Sequence, residues 1–232
     1  MSKDNFISAV FGVLLGFIAG YLMHEVMVGR QPPRLPPGMS TTATAPGEQA
    51  GGAPAEQPAA PMVGQVRELE ARLAKDPKDV EALQGLAAMY FQINDKKKSA
   101  DYLARYVELR PDDLDAVRQL ADLRFDGQDW EQARDLYTRY LGQHPGDPDV
   151  MTDLGVTYRS LKQFDRALEL FDKASKTAPD HWRSRYNQVV VLAFDLNRID
   201  AARQVLAELQ RMQPNNQQVS ELAAAVEKRK SA

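Results

Sequence analysis

The 232-residue chain carries 29 lysines and arginines against 32 aspartates and glutamates, a net charge of −3. With no basic excess to neutralise phosphates, the composition argues against strong non-specific nucleic-acid binding. Cysteine is absent, which excludes structural disulfides, thiolate metal sites, c-type haem attachment and a lipid anchor on an N-terminal Cys; the three histidines, His24, His144 and His181, are too scattered for a His-rich metal site.

The first element is an apolar run. No charged residue occurs from Asn5 to His24, and Phe6 to Met23 is almost wholly apolar or small. Eighteen helical residues span about 27 Å, close to the roughly 30 Å of bilayer hydrocarbon. A secretory signal has a shorter apolar core and ends in a small-x-small cleavage site. Here the run continues into His24-Glu25-Val26-Met27 without such a site, so residues 6–28 are predicted to be an uncleaved transmembrane anchor behind a short tail, 1–5. Ser8, Gly12, Gly16 and Gly20 recur every four residues on one stripe of that helix. Small residues so placed favour close helix–helix approach in lipid, either as a homodimer or with a partner's span. Lys3 on one side nearly balances Arg30 and Arg34 on the other, so charge sets the orientation only weakly. Analogy with other single-anchor proteins gives an inner-membrane location with the C-terminal domain on the periplasmic side.

Residues 29–61 form the second zone, and eight of the 14 prolines fall between 31 and 61. After Leu35 the segment has almost no large apolar residue, so it reads as a disordered tether. As a coil it would span about 30 Å, and as extended polyproline roughly 95 Å.

The third zone is periodic. Pro77, Pro111, Pro145, Pro179 and Pro214 are spaced 34, 34, 34 and 35 residues apart, with two amphipathic segments between successive prolines. The clearest unit reads Met151-x-x-Leu154-Gly155-x-x-Tyr158, then Phe164, Ala167-x-x-x-Phe171, Ala174 and Pro179. Small Gly155 and Ala167 let two helices approach, and Tyr158, Phe164 and Phe171 fill the remaining volume. The other units keep this pattern with departures: Lys96 stands where an aromatic is usual, and Arg124 where a large apolar residue is usual. The extra residue of the fourth unit is assigned to the turn Asp180-His181-Trp182, where insertions are tolerated.

This large–small–large pattern with a 34-residue period resembles the tetratricopeptide repeat. The resemblance implies an all-α solenoid of helical hairpins over residues 77–214. A leading helix is expected at 62–76 and a C-terminal capping helix at 215–232. It also implies a concave groove lined by the first helix of each repeat. By angle along those helices, the groove takes Glu81, Gln84, Ala88, Phe91 and Gln92, then Asp115, Arg118, Asp122, Phe125 and Asp126. Asp149, Thr152, Val156, Arg159 and Ser160 follow, then Ser184, Asn187, Val191, Phe194 and Asp195.

Phe91, Phe125 and Phe194 share one repeat position, and acids outnumber bases on this face six to two. The candidate partner-binding residues are therefore Phe91, Arg118, Asp122, Phe125, Arg159, Asn187 and Phe194. Some family members hold a C-terminal carboxylate in a Lys/Arg/Asn clamp. Here Gln84, Asp115 and Asp122 occupy its basic positions, and only Arg118 and Asn187 fit it loosely. An apolar segment with basic residues is the expected partner.

No Gly-rich phosphate loop, metal-ligand spacing or nucleophile–His pairing is present, so no catalytic residue, cofactor or metal is expected. His144 and His181 are expected on solvated turns, and Lys96-Lys97-Lys98 in a solvated loop. Two function classes follow. One is a membrane-held protein-interaction scaffold, as in cytochrome c maturation or periplasmic chaperoning. The other is a structural subunit whose anchor makes the specific contact.

Overall fold

The structure is a computed structural model that describes residues 59–230. The predicted anchor, its Ser8, Gly12, Gly16 and Gly20 stripe and nearly all of the tether lie outside the described residues. No helix among the described residues is long and apolar enough to cross a membrane. Among the described residues ten α-helices follow one another: α1 (Ala59–Lys75), α2 (Val80–Gln92), α3 (Lys96–Leu109), α4 (Leu114–Asp126), α5 (Trp130–Gln143), α6 (Pro148–Ser160), α7 (Phe164–Thr177), α8 (Trp182–Val190), α9 (Ile199–Met212) and α10 (Gln217–Lys230). Helices α2/α3, α4/α5, α6/α7 and α8/α9 form four hairpins, each packed on the next.

One aspartate organises each of the first three junctions along the array. Asp79, Asp113 and Asp147 precede α2, α4 and α6, and each side chain accepts the N–H of the third helical residue at 3.0–3.1 Å. That N-cap satisfies a donor the helix cannot satisfy itself. The same carboxylates receive a bond from the preceding helix: Arg72 Nε to Asp79 at 2.7 Å, Tyr106 Oη to Asp113 at 2.7 Å, and Tyr140 Oη to Asp147 at 3.2 Å. Seven residues separate donor and acceptor each time. Arg105 and Arg139, also 34 apart, donate to the carbonyls of Pro77 and Pro111.

The turn inside each hairpin uses a left-handed residue: Asn94, Gln128, Lys162 and Asn197 have φ of 60°, 61°, 59° and 54°. These residues end the first helix by reversing the backbone hand, a conformation asparagine tolerates well and which Gln128 and Lys162 adopt at some steric cost.

Packing within the hairpins follows the small–large pairing. A Cβ added to Gly155 would stand within 2.9 Å of three carbons of the Phe171 ring, so glycine is what admits that ring. Ala133, Ala167 and Ala202 share one repeat position and are fully buried, as are Tyr137 and Phe171 at the position four residues on. Ser99 takes the alanine position in the first hairpin and satisfies its buried hydroxyl on the Ala87 carbonyl at 2.8 Å.

Two expectations are corrected here. The lysine run is not a loop, because the Asp95 side chain accepts the Lys98 N–H and starts α3 at Lys96. Lys96 Nζ then reaches Asp126 at 3.2 Å, and Lys98 lies over the Tyr90 ring at 4.7 Å. Nor is the extra residue of the fourth repeat in the turn at 180–182. The caps Asp79, Asp113, Asp147 and His181 remain 34 apart, whereas Lys162 and Asn197 are 35 apart. The insertion is absorbed after α8 as a π-helical turn, Val191–Asp195, where the Leu196 N–H bonds the Val191 carbonyl five residues back. The hairpin-closing bond shows the same count, Gln163 to Tyr158 in the third repeat but Arg198 to Leu192 in the fourth.

The terminal helices are half-repeats. Arg72 of α1 holds the position of Tyr106 and Tyr140, which makes α1 the second helix of an incomplete unit. Asn216 caps α10 by accepting the Val219 N–H at 3.3 Å, 35 residues after His181, which makes α10 the first helix of another.

Replacing Ala167 with Leu should overpack the α6/α7 hairpin and cost about 1–3 kcal/mol, with Gly155→Ala moving in the same direction against Phe171. Unchanged thermal unfolding of both variants would contradict this packing.

Tyr106 is pushed up to about 12, first by burial and then by its bond to Asp113. Its neutral form is favoured on folding, so the associated stability is complete below the ordinary tyrosine value near 10 and is lost as pH rises through about 12. Asp113→Asn should lower the late phenolate titration seen by ultraviolet absorbance, without returning it fully to 10. A titration identical to that of the unmodified chain would show that Asp113 does not hold Tyr106.

Candidate functional site

The first helices α2, α4, α6 and α8 present a repeating surface that second-helix side chains such as Trp130 and Tyr137 partly cover. Helix period sets its rows. One row is Phe91, Phe125, Arg159 and Phe194, each three residues before a left-handed turn residue. The next is Gln92, Asp126, Ser160 and Asp195.

All three phenylalanines are half-buried and pack on the apolar core, so they are structural as well as accessible. Phe125 meets Trp130 edge-on at 5.4 Å and Tyr137 at 6.3 Å. Its truncation to alanine therefore costs stability as well as exposed apolar area. Phe194 lies beneath the Arg229 guanidinium of α10, 5.6 Å from the ring centre.

The polar candidates are tied into the scaffold. Asp122 accepts the buried Tyr137 hydroxyl at 2.7 Å. Arg118 pairs with Asp147 at 3.1 Å and lies over the Tyr140 ring. Arg159 crosses to the next repeat and meets Asp195 at 2.5 Å, each side chain 21 % exposed.

The π turn corrects the fourth-repeat assignment. Before it the register is 34, so Arg183, Tyr186 and Val190 stand where Ser184, Asn187 and Val191 were expected. Ser184 and Val191 are fully buried in the core. Asn187 falls level with Asp153, and its amide bonds the Arg183 carbonyl of its own helix. Thr152 is also buried, with its hydroxyl turned back to the Pro148 carbonyl. After the π turn the register is 35, and Phe194 and Asp195 keep their predicted positions.

Models of the tetratricopeptide repeat match residues 66–113 and 98–148, and a further one matches 124–191. The chain is a tetratricopeptide-repeat protein. Among solved structures, this repeat protein is similar to a crystal structure of MamA, at 22% identity and a TM-score of 0.57, covering 66% of this chain and 89% of that one. It is also similar to YrrB, described as a TPR protein with an unusual peptide-binding site, at 18% identity and a TM-score of 0.63, covering 71% and 84%. MamA 41-end from Desulfovibrio magneticus RS-1 aligns at 14% identity with a TM-score of 0.58, covering 67% and 88%. At these identities the likeness is one of fold. No curated protein matches the sequence.

Among the described residues of this tetratricopeptide-repeat protein, no group of three or more His, Asp and Glu is placed to hold a metal ion. His144 is exposed and stacks on Tyr140 at 4.7 Å. His181 departs from the expected solvated histidine, since its side chain is only 13% exposed. Its Nε2 donates to Asp149 at 3.1 Å, while Nδ1 is buried with no hydrogen-bond partner. The His181 bond, reinforced by Arg183, holds the Asp149 carboxyl below the usual range.

Sequence reasoning missed the link between Arg159 and Asp195, because 36 residues separate them and only the stacking of repeats brings them together. A double-mutant cycle with Arg159→Ala and Asp195→Ala should return a coupling of about 1 kcal/mol in urea unfolding, at the upper end for surface pairs. Strict additivity would mean that the pair contributes nothing to holding the third and fourth repeats together.

Proposed function

We propose that this tetratricopeptide-repeat protein is a membrane-held scaffold whose first-helix face binds partner polypeptides. The carrying observation is the row of half-buried phenylalanines, Phe91, Phe125 and Phe194, on a first-helix face that neighbouring helices cover only in part. Apolar area that is partly open in the free chain and desolvated on contact is what a binding anchor requires. Charge adds the chemistry of the partner. In the first two repeats the face carries Glu81, Asp115, Asp122 and Asp126 against Arg118, with Arg72 and Lys96 meeting Glu81 and Asp126 from the side, so acids still exceed bases. An apolar segment carrying basic residues suits this end of the face, and screening by salt should weaken its capture. A structural neighbour, YrrB, is described as having a peptide-binding site, which supports this reading of the fold.

The location is part of the same reading. Residues 6–28 would anchor the chain in the inner membrane, with Ser8, Gly12, Gly16 and Gly20 pairing with a second helix, and residues 29–61 would tether the repeats on the periplasmic side. In that setting the partners are envelope proteins undergoing assembly or maturation, as in cytochrome c biogenesis or periplasmic chaperoning.

The test is crosslinked capture from intact membranes, with protease accessibility read on the same sample. Combining Phe91→Ala with Phe125→Ala in the full chain should reduce capture at least about tenfold, assayed below the melting temperature and with helicity checked by circular dichroism. Gly16→Ile should weaken association through the anchor and leave capture by the repeats intact. Undiminished capture by the folded double variant would refute the face as the docking surface.

A further inference from the structure

Repetition lets one part of this molecule show what another part is built to receive. Along the face, the row of Phe91, Phe125, Arg159 and Phe194 is followed, one repeat on, by Asp126, Ser160, Asp195 and Arg229. Two of these four steps show the members meeting. Arg159 pairs with Asp195. Arg229 lays its guanidinium over the Phe194 ring and donates from Nε to the Asn197 side-chain carbonyl at 3.3 Å. The Phe194 platform thus consists of an aromatic face with an amide on the left-handed residue three positions later.

Phe125 repeats that platform. Gln128 is its left-handed residue, with φ 61°, and carries the same amide group. The residue in the place of Arg229 is Ser160, exposed and too short to reach across the ring. The first step differs, because Asp126, one repeat on from Phe91, is already met by Lys96 at 3.2 Å.

Resting on the proposal that this face binds polypeptides, we infer that the space between Phe125 and Ser160 is an arginine subsite, filled by an arginine of the partner as Arg229 fills the space over Phe194. The surrounding charge agrees. Asp122 is bonded to Tyr137, whose ring meets Phe125, and Asp126, paired with Lys96, is the next residue in sequence, so the carboxylates beside the ring outnumber the lysine. The flanking cations Arg118 and Arg159 are each held by a carboxylate, Asp147 and Asp195. Arginine suits the geometry better than lysine, because a planar guanidinium stacks on the ring while its edge donates to the amide.

The probe is a short fluorescent peptide of alternating leucine and arginine, with twins in which arginine is replaced by lysine or by neutral, isosteric citrulline. Binding to the full chain is read by fluorescence anisotropy. The citrulline twin should bind at least tenfold more weakly than the arginine peptide, with the lysine twin between them. Phe125→Leu, which keeps apolar bulk but removes the aromatic face, should lose about tenfold for the arginine peptide and little for the citrulline twin. Ser160→Arg, an exposed change that supplies the guanidinium internally, should also lose about tenfold, with helicity unchanged. Equal binding of arginine and citrulline peptides, or arginine-peptide binding indifferent to Ser160→Arg, overturns the subsite. If that equal binding is still abolished by the Phe91/Phe125 double alanine variant, the face remains a docking surface without arginine selectivity. Absence of binding by every peptide also overturns the subsite, and the broader reading then rests on the membrane capture alone.

Discussion

The aspartate at the head of the first helix in each of the first three repeats is the constraint on which the array depends. A single carboxylate caps its own helix and receives a side chain from the second helix of the preceding repeat. Turn, cap and inter-repeat contact are therefore set together, and none can shift without breaking the other two. Where the device is missing, the structure changes. At the fourth repeat His181 replaces the aspartate and Ala174 stands in the position of Tyr106 and Tyr140, so neither partner of the bond remains. His181 makes no side-chain cap and turns instead to Asp149 in the repeat before it. The apolar core divides at the same region: one cluster runs from Leu73 to Leu154, another from Val189 to Val226, with the small group of Ala167, Phe171 and Val191 as a third.

The π turn in this repeat solves a problem of register. One residue added to an α-helix rotates everything beyond it by 100°. Phe194 and Asp195 would then leave the face and enter the core or the hairpin contact. A wider turn at Val191–Asp195 absorbs the residue locally, so the downstream positions return to the face. Asp195 can then meet Arg159, and Phe194 can meet Arg229. Such turns often mark functional positions in helices, since they re-aim side chains without ending the helix. Here the re-aimed residues are those that close two of the four steps of the face.

Most of the architecture was legible from spacing and side-chain size. The proline period located every junction between repeats. The match of small Gly155 with large Phe171 was readable because both belong to one hairpin, where separation in sequence translates directly into separation in space. The insertion was not readable in the same way. Proline spacing confines it between Pro179 and Pro214, but an extra residue in a turn and one in a helix give the same count. The left-handed residues carry the missing information, since Lys162 and Asn197 are 35 apart while the caps before them remain 34 apart. The Tyr–Asp bonds also left a signal, a fixed separation of seven residues at Tyr106/Asp113 and Tyr140/Asp147, legible only when two repeats are compared. On the face, Phe91, Phe125 and Phe194 were located by periodicity, but their half-buried state was not, because Trp130 and Tyr137 approach Phe125 from the neighbouring helix.

Continuing the face into α10 changes its electrostatic character. Over the four hairpins, with Arg183 in its corrected place, Glu81, Asp115, Asp122, Asp126, Asp149 and Asp195 oppose Arg118, Arg159 and Arg183. Helix α10 adds Glu221 but also Lys228 and Arg229, so the acid excess is not spread evenly. With Arg72 and Lys96 set against Glu81 and Asp126, what remains of it lies in the first two repeats, and the far end carries its own cations. Those cations are engaged in part with the molecule itself, as Arg229 is with Phe194 and Asn197. A basic, apolar segment entering this face would meet opposite charge at one end and guanidinium groups already in place at the other. Attraction at Phe91 and Phe125 and repulsion near Arg229 act in the same direction, so charge gives the face a polarity along the array. Specificity for the end of the face near Phe125 thus comes both from what the first two repeats attract and from what the last half-repeat excludes.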